Sequence, residues 1–265
     1  MGTDTNLTST LVSETDVLRA AYNRTSYVGT IEFLGAPNNF LNAESLFQAA
    51  NVAEEFDQMG ARALVLCSEG KHFSAGANFG IRPAEGQRVD LYEQGIRLIG
   101  QPLPMVAAVQ GGSVGGGVGL ALVADLRVAS PESYFWINFS RLGFHHGFGL
   151  SVTLPRVVGQ QAALELLMSS RRIGGEEALK IGLVDEITEA DHIRERAVAR
   201  AAEIAQNGPL ATRLIRATMR GDLAERAAAA MAAEKTIQDR LQHTRDFAEG
   251  TASIRERRPA AFTGL

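Results

Sequence analysis

The stretch from Met105 to Ser130 constrains the fold and the chemistry of this chain more than any other. Residues 105–109 form a short apolar run, which predicts a strand buried on both faces. Residues 110–117 then contain five glycines in eight positions, and residues 118–123 predict a short buried helix. Glycine lets backbone approach a ligand closely, and the first amides of a helix have no partner inside it. The stretch therefore predicts a cradle for an oxygen atom that carries negative charge.

Composition narrows the class of protein. The chain has 265 residues, 45% of them hydrophobic, which is enough for one large core. The net charge is −4 and no basic cluster stands out, so we expect no nucleic-acid partner. The single cysteine, Cys67, excludes a disulfide within the chain and a metal site of the cysteine type, and we expect no metal. With no signal-peptide pattern and no membrane-length apolar run, we expect no membrane association and a cytoplasmic protein.

Hydrophobic periodicity predicts alternating strands and helices up to residue 130. Apolar or alternating runs at 27–34, 63–67, 105–109 and 126–129 indicate strands. Asn42 is placed to cap a helix that runs to about Met59, and residues 91–99 predict another helix. This order predicts a parallel sheet with helical crossovers. Residues 1–15 look disordered-like, and the chain after Asp191 is helical in character.

A second turn rich in small residues, Ser68 to Asn78, follows the strand at 63–67. Parallel strands end at the same edge of a sheet, so this turn and the glycine-rich turn are expected to lie side by side. Two backbone amides that converge on one oxygen form an oxyanion hole. Such a site suits any reaction that passes through an enolate or a tetrahedral oxyanion.

A serine hydrolase is an alternative interpretation of the same glycine-rich stretch. Gly111-Gly-Ser113-Val-Gly115 fits the G-x-S-x-G pattern, and Asp125 and His145 follow in the order acid, histidine. The spacing from the serine to the acid and the histidine is unusually short for that fold. Neither the dinucleotide fingerprint nor the phosphate loop occurs in the chain.

Four segments in order resemble the enoyl-CoA hydratase/isomerase (crotonase) superfamily. Lys71 to Asn78 and Met105 to Ser130 are similar to its two signature stretches, Leu154 to Ile187 to the next segment, and Glu249 to Gly264 to its C-terminal ending. The likeness covers nearly all of residues 27–265. It implies an α/β fold with a ββα spiral core, which we place at residues 16–195, and a helical trimerisation region at 196–265.

The resemblance also implies a substrate and a site. The substrate would be an acyl-CoA thioester, with coenzyme A as part of the substrate and no separate cofactor, and the protein would be a homotrimer or hexamer. The amides of Ala75 and Gly116 would hold the thioester oxygen. The remaining substrate-binding candidates lie in the two turns and in the aromatic segment after them, and they are Phe73, Gly76, Ala77, Asn78, Gly115, Gly119, Trp136, Asn138 and Phe139.

The sequence departs from the family at the two glutamates that hydratases use. Gly119 stands at the first position and Phe139, after Asn138, at the second. Without an acid and a base near the α- and β-carbons, ordinary hydration is not expected. Other members of the family carry alternative catalytic groups in the turn that here contains His145 and His146. A histidine whose pKa is near neutral can move a proton. The sequence therefore predicts a lyase or isomerase of this family with His145 or His146 as the catalytic group, and the alternative is a non-catalytic member that binds acyl-CoA.

Overall fold

The computed structural model of the chain describes residues 9–77 and 89–265. The strands within these ranges are β1 (Ser9–Glu14), β2 (Leu18–Asn23), β3 (Val28–Phe33), β4 (Ala63–Ser68), β5 (Met105–Ala108), β6 (Gly112–Val114), β7 (Leu126–Ala129), β8 (Tyr134–Trp136), β9 (Arg172–Gly174) and β10 (Glu186–Ile187). The α-helices there are α1 (Ala43–Gln58), α2 (Leu91–Ile99), α3 (Gly116–Ala121), α4 (Leu150–Val158), α5 (Gln160–Ser169), α6 (Gly175–Lys180), α7 (Ile193–Ala205), α8 (Pro209–Arg220), α9 (Leu223–Leu241) and α10 (Arg245–Glu256). The predicted α/β fold with a helical C-terminal region is confirmed.

The described strands form two sheets. The larger sheet has the order β1-β2-β3-β4-β5-β7-β10, antiparallel up to β3 and parallel from β3 onward. The smaller sheet has the order β6-β8-β9. From β5 onward the chain forms a strand of the large sheet, then a strand of the small sheet and then a helix. This order occurs first as β5-β6-α3 and next as β7-β8 followed by α4. This repeat is the predicted ββα unit.

Helices cover both faces of the large sheet, as its buried parallel strands require. All six residues of β4 are buried, and the first five alternate between two apolar clusters. Leu64 and Leu66 pack in the cluster that contains residues of α1, whereas Val65 packs with residues of α7. Asn42 caps α1 as expected, because its side chain accepts a hydrogen bond from the Ser45 N–H.

The N-terminal segment differs from expectation. Residues 1–15 were expected to be loosely ordered, but Ser9–Glu14 forms β1, paired antiparallel with β2. An exposed edge strand needs few apolar side chains, because backbone pairing holds it, so a run rich in Ser and Thr gives little sign of it. Residues 1–8 lie outside the described residues.

The C-terminal helices α8 and α9 differ in how far they are buried. Helix α9 packs on the core through the buried residues Ala227 and Met231. Helix α8 has no buried residue, and its exposed apolar side chains are Leu210, Leu214, Ile215 and Met219. The boundary between a core and an assembly region at residues 195 and 196 stays a prediction.

Candidate active site

Backbone hydrogen bonds join the turn after β4 to the turn after β5. Ser74 forms a parallel bridge with Ser113 in β6. The Val114 N–H donates to the Ser74 carbonyl at 2.9 Å, and the Ser74 N–H donates to the Gly112 carbonyl at 3.2 Å. The two turns predicted to lie side by side therefore contact each other directly.

Glycine is required where the turns meet. Gly76 has φ +78°, and a Cβ there would lie 2.5 Å from the Val114 carbonyl oxygen and 3.4 Å from the Gly116 nitrogen. A Cβ on Gly117 would collide with the Ser74 carbonyl oxygen. Because real Cβ atoms cannot come that close, any side chain at these positions would push the turns apart.

Two amides at this junction, those of Ala77 and Gly116, have no hydrogen-bond acceptor among the described residues. The Gly76 carbonyl accepts from the Leu41 N–H at 2.9 Å. Because a trans peptide points its carbonyl and its N–H in opposite directions, the Ala77 N–H faces away from Leu41. Gly116 is the first residue of α3, so its N–H has no acceptor inside the helix.

The Ala75 amide, which the sequence suggested as the first donor, is already engaged. Its N–H donates to the Asn38 carbonyl at 2.8 Å. An amide held in this way is not free to bind a ligand oxygen. Between Ser74 and Ala77, the amide with no acceptor among the described residues is that of Ala77.

A mostly apolar cavity of about 310 Å³ opens beside these amides. Its described lining residues from the two turns are Ala75, Gly76, Ala77, Gly115 and Gly116. Those from the rest of the chain are Leu41, Leu91, Tyr92, Asn138, Phe139, Leu142, Phe144, Gly147, Phe148, Gln238 and Ile254. None of the described lining residues is a carboxylate or a histidine. A ligand that fits here meets backbone amides and apolar surface, with Tyr92, Asn138 and Gln238 as the polar side chains.

The Phe148 ring fills the space beside Gly119. A Cβ on Gly119 would lie 2.8 Å from Phe148 Cδ1. Phe148 is buried and has φ +60°, a left-handed conformation that a bulky residue rarely adopts. The next turn is anchored by buried Glu234, whose carboxylate accepts hydrogen bonds from the N–H groups of Gly149 and Ser151 at 2.8 and 2.9 Å. At the first glutamate position of the family, the structure therefore places an aromatic ring against a glycine.

The side chains of His145 and His146 are not among the residues that line the cavity. The two rings stack with centroids 4.0 Å apart, and His145 Nδ1 lies 2.8 Å from the His146 carbonyl oxygen. His146 Nε2 lies 2.8 Å from the Ser151 hydroxyl, which in turn donates to Glu234. Burial, and next the neighbouring His145, lower the pKa of His146 to about 4. These contacts give the pair a local structural role.

The depressed pKa of His146 predicts that acid weakens the fold. In the unfolded chain this imidazole would titrate near 6.5, so between pH 6.5 and 4 the unfolded state binds more protons. The contribution of the neutral His146 to the free energy of unfolding is complete above pH 6.5. It falls by about 3 kcal/mol as the pH is lowered towards 4. The Glu234 carboxylate opposes this loss, because its Oε1 atom lies 3.9 Å from His146 Nε2 and attracts the protonated imidazole. The two groups do not bond directly, since the Ser151 hydroxyl forms a hydrogen bond with each of them.

Urea unfolding at pH 7 and at pH 4.5 measures this effect. The variant His146→Gln, which keeps a hydrogen-bond donor and cannot titrate, is expected to lose clearly less stability than the wild type over this interval. Equal losses in the two proteins would contradict the assignment to His146.

The described residues around Ser113 do not form the arrangement that a serine hydrolase needs. This residue is fully buried inside β6, and its hydroxyl has no hydrogen-bond partner among the described residues. Asp125 instead forms ion pairs with Arg216 and Arg220 at 2.7 and 2.6 Å. A nucleophile elbow exposes its serine at a turn, so this geometry gives the hydrolase alternative no support.

The other predicted binding residues occupy different places. Asn138, Phe139, Gly115 and Gly76 line the cavity. Phe73 and Trp136 are not among the described residues that line the cavity. Phe73 is fully buried in the core, and the Trp136 indole N–H donates to the Ser170 carbonyl at 2.8 Å. Asn78 lies outside the described residues.

Sequence reasoning missed Tyr92 and Gln238, which reach the cavity from α2 and α9. They lie 146 residues apart, and their hydroxyl and amide groups meet at 2.7 Å. Both fall within ordinary helical patterns, so only the packing of α9 on α2 reveals them.

In residues 9–77 and 89–265 no helix is both long enough and apolar enough to cross a membrane. The same ranges contain no group of three or more His, Cys, Asp or Glu side chains placed to hold a metal ion.

Comparisons with known proteins agree with this fold and with the signature stretches. The chain is 34% identical over 210 residues to a protein of Rhodobacter capsulatus named probable enoyl-CoA hydratase, covering 77% of this chain and 82% of that protein. A Bacillus subtilis protein with the same name is 31% identical over 193 residues, covering 69% and 74%. The crystal structure of an enoyl-CoA hydratase/isomerase from Pseudoalteromonas atlantica superposes with a TM-score of 0.84 at 26% identity, covering 93% of this chain and all of that one. The sequence model of the family described as enoyl-CoA hydratase/isomerase matches residues 24–264, and the chain therefore belongs to this family.

Proposed function

We propose that the protein binds an acyl-CoA thioester and stabilises its enolate between the amides of Ala77 and Gly116. The observation that carries this proposal is the pair of unpaired amides at the wall of one apolar cavity. Hydrogen-bond donors that are fixed before the reaction, in a site with little water, stabilise developing negative charge without reorganising. An enolate oxygen carries more charge than the thioester carbonyl does, so the same two donors bind it more tightly and lower the barrier.

The cavity favours reactions other than ordinary hydration. Adding water across an enoyl double bond needs groups that take a proton from water and give one to the α-carbon. Phe148 occupies the space beside Gly119, and Phe139, after Asn138, stands at the second glutamate position. The relatives named as hydratases therefore support the substrate class more than the reaction. Double-bond isomerisation and thioester or carbon–carbon bond hydrolysis remain compatible with the enolate site.

Calorimetric titration with butyryl-CoA, crotonyl-CoA and free coenzyme A tests the binding step. We expect both thioesters to bind more tightly than free coenzyme A, because the two amides and the apolar cavity act on the acyl group. Equal affinity for all three compounds would contradict the proposed site.

Turnover of crotonyl-CoA, followed by the loss of its enoyl absorbance, tests the reaction class. We expect hydration to be far below the usual enzymatic range of about 1–10³ s⁻¹. Hydration within that range would contradict our account of the missing carboxylates. Tight binding with no turnover of any acyl-CoA in a panel would support the non-catalytic alternative.

We also propose that the protein assembles as a homotrimer or a hexamer through its helical region. Supporting this, α8 exposes Leu210, Leu214, Ile215 and Met219, each at least 64% exposed. Such a face is typical of a protein–protein contact. Sedimentation equilibrium should give three or six times the chain mass of 28.4 kDa, and a monomer would contradict the proposal.

A further inference from the structure

We propose that Tyr92 is the group that delivers a proton to the α-carbon of the bound enolate. The proposal rests on the proposed function above, because it concerns the same cavity and the same intermediate. Among the described residues that line the cavity, Tyr92 alone has a side chain that titrates. An enolate site needs some group that moves a proton. His145 and His146 are not among the described residues that line this cavity, and the two glutamate positions of the family carry Gly119 and Phe139 here.

The Tyr92 hydroxyl is held in a defined orientation. It donates to Gln238 Oε1 at 2.7 Å, and Gln238 Nε2 donates to the His145 carbonyl at 3.0 Å. That second bond fixes which end of the amide faces the tyrosine. Gly147 makes room for the contact, because a Cβ there would overlap the hydroxyl and lie 2.6 Å from Gln238 Nε2. The sequence thus provides a glycine where the hydroxyl and the amide meet.

The surroundings keep the phenol protonated in the resting state. Burial raises the pKa of Tyr92 to about 12, and the carboxylates of Glu234 and Asp90 act in the same direction. Asp90 is itself paired with Lys235 at 2.7 Å. The Phe148 backbone amide favours the ionised form, so the phenolate that forms after proton transfer has a donor beside it. The group is a poor base at neutral pH and can act as an acid towards a strongly basic carbanion.

The transfer balances without any further reactant. The O–H bond of Tyr92 breaks, and the π electron pair of the enolate C=C forms the new C–H bond at the α-carbon. The enolate C–O bond becomes the thioester carbonyl again, and the phenolate then takes a proton from solvent water. In reverse, the small phenolate fraction removes an α-proton, so the same residue catalyses exchange of the α-hydrogens with solvent.

Exchange of the α-hydrogens of butyryl-CoA in D₂O, followed by proton NMR, tests this role. We expect exchange in proportion to the wild-type protein concentration, rising about tenfold per pH unit between pH 7 and 9 as the phenolate fraction grows. Tyr92→Phe should lower it at least about 10²-fold with unchanged affinity for butyryl-CoA. Tyr134→Phe is the matched control and should exchange at the wild-type rate, because Tyr134 lies in β8, under the Arg172 guanidinium, and does not line this cavity.

A second variant separates proton transfer from a merely structural role. Substituting Tyr92 with 3-fluorotyrosine keeps the ring and the hydroxyl but lowers the pKa of the phenol. Because more of it is ionised at pH 8, we expect faster exchange than in the wild type. If butyryl-CoA binds but the wild type shows no exchange, or Tyr92→Phe exchanges at the wild-type rate, or fluorination leaves the rate unchanged, the role of Tyr92 is overturned and the proposed function stands. If butyryl-CoA does not bind at all, both are overturned.

Discussion

Replacing Gly116 with proline is expected to lower kcat/KM by about 10²–10³, the usual cost of losing one donor from an oxyanion hole. The measurement uses the acyl-CoA thioester that the wild type turns over fastest. Proline removes the amide hydrogen of Gly116, which has no acceptor among the described residues. It is well tolerated at the first position of a helix, which is where Gly116 stands. The effect should therefore fall on catalysis and much less on folding.

Gly116→Ala is the matched control for this variant. It adds the same Cβ, which would lie 2.8 Å from Leu41 Cδ1, the flexible end of a side chain that can move aside. The alanine variant keeps its N–H, so we expect its kcat/KM to stay within about tenfold of the wild type. Equal losses in the two variants would assign the effect to crowding and contradict the role of the amide.

The second large effect concerns Gly119. Gly119→Glu puts back the carboxylate that a hydratase of this family carries, but its Cβ would lie 2.8 Å from the Phe148 ring. Overpacking combined with burial of a charge should destabilise the fold by at least about 3 kcal/mol. We expect a clear fall in the melting temperature and no gain in crotonyl-CoA hydration.

A double-mutant cycle shows whether Phe148 causes this loss. Phe148→Ala is itself destabilising, because it removes a buried ring, but it empties the space beside Gly119. In that background Gly119→Glu should cost about 2 kcal/mol less than in the wild type. Additive losses, or a stable Gly119→Glu protein that hydrates crotonyl-CoA, would contradict the packing described here.

Regular elements with strong periodicity could be predicted from the sequence. The predicted helix at 91–99 and the Asn42 cap match the structure, and so do the buried strands at 63–67 and 126–129. In each case burial on one or both faces leaves a pattern in the local sequence. Strand β1 was not foreseen, since an edge strand is held mainly by backbone pairing, which leaves a weaker pattern. Strand β2 was also not foreseen, although its buried residues Leu18, Ala20 and Tyr22 alternate with less buried ones.

The location of the site could be predicted from the sequence, but the individual amides and side chains that face the cavity could not. The two turns and their contact followed from the glycines and the strand order. The identity of the unpaired amide did not, because Ala75, whose amide is engaged by the Asn38 carbonyl, and Ala77, whose amide is unpaired, lie two residues apart in the same turn. Whether His145 and His146 face the cavity depends on the Ser151 and Glu234 contacts, and Glu234 lies more than 80 residues away in sequence. Long-range packing of this kind leaves no local pattern.

The central claim is that the amides of Ala77 and Gly116 hold the thioester oxygen. The most direct measurement is the ¹³C chemical shift of butyryl-CoA labelled at the thioester carbonyl, recorded free and bound. Hydrogen bonds from two fixed donors polarise the carbonyl, so we expect a downfield shift on binding to the wild type and to Gly116→Ala, and a smaller shift with Gly116→Pro. A bound thioester whose carbonyl shift equals that of the free compound in the wild type would contradict the claim.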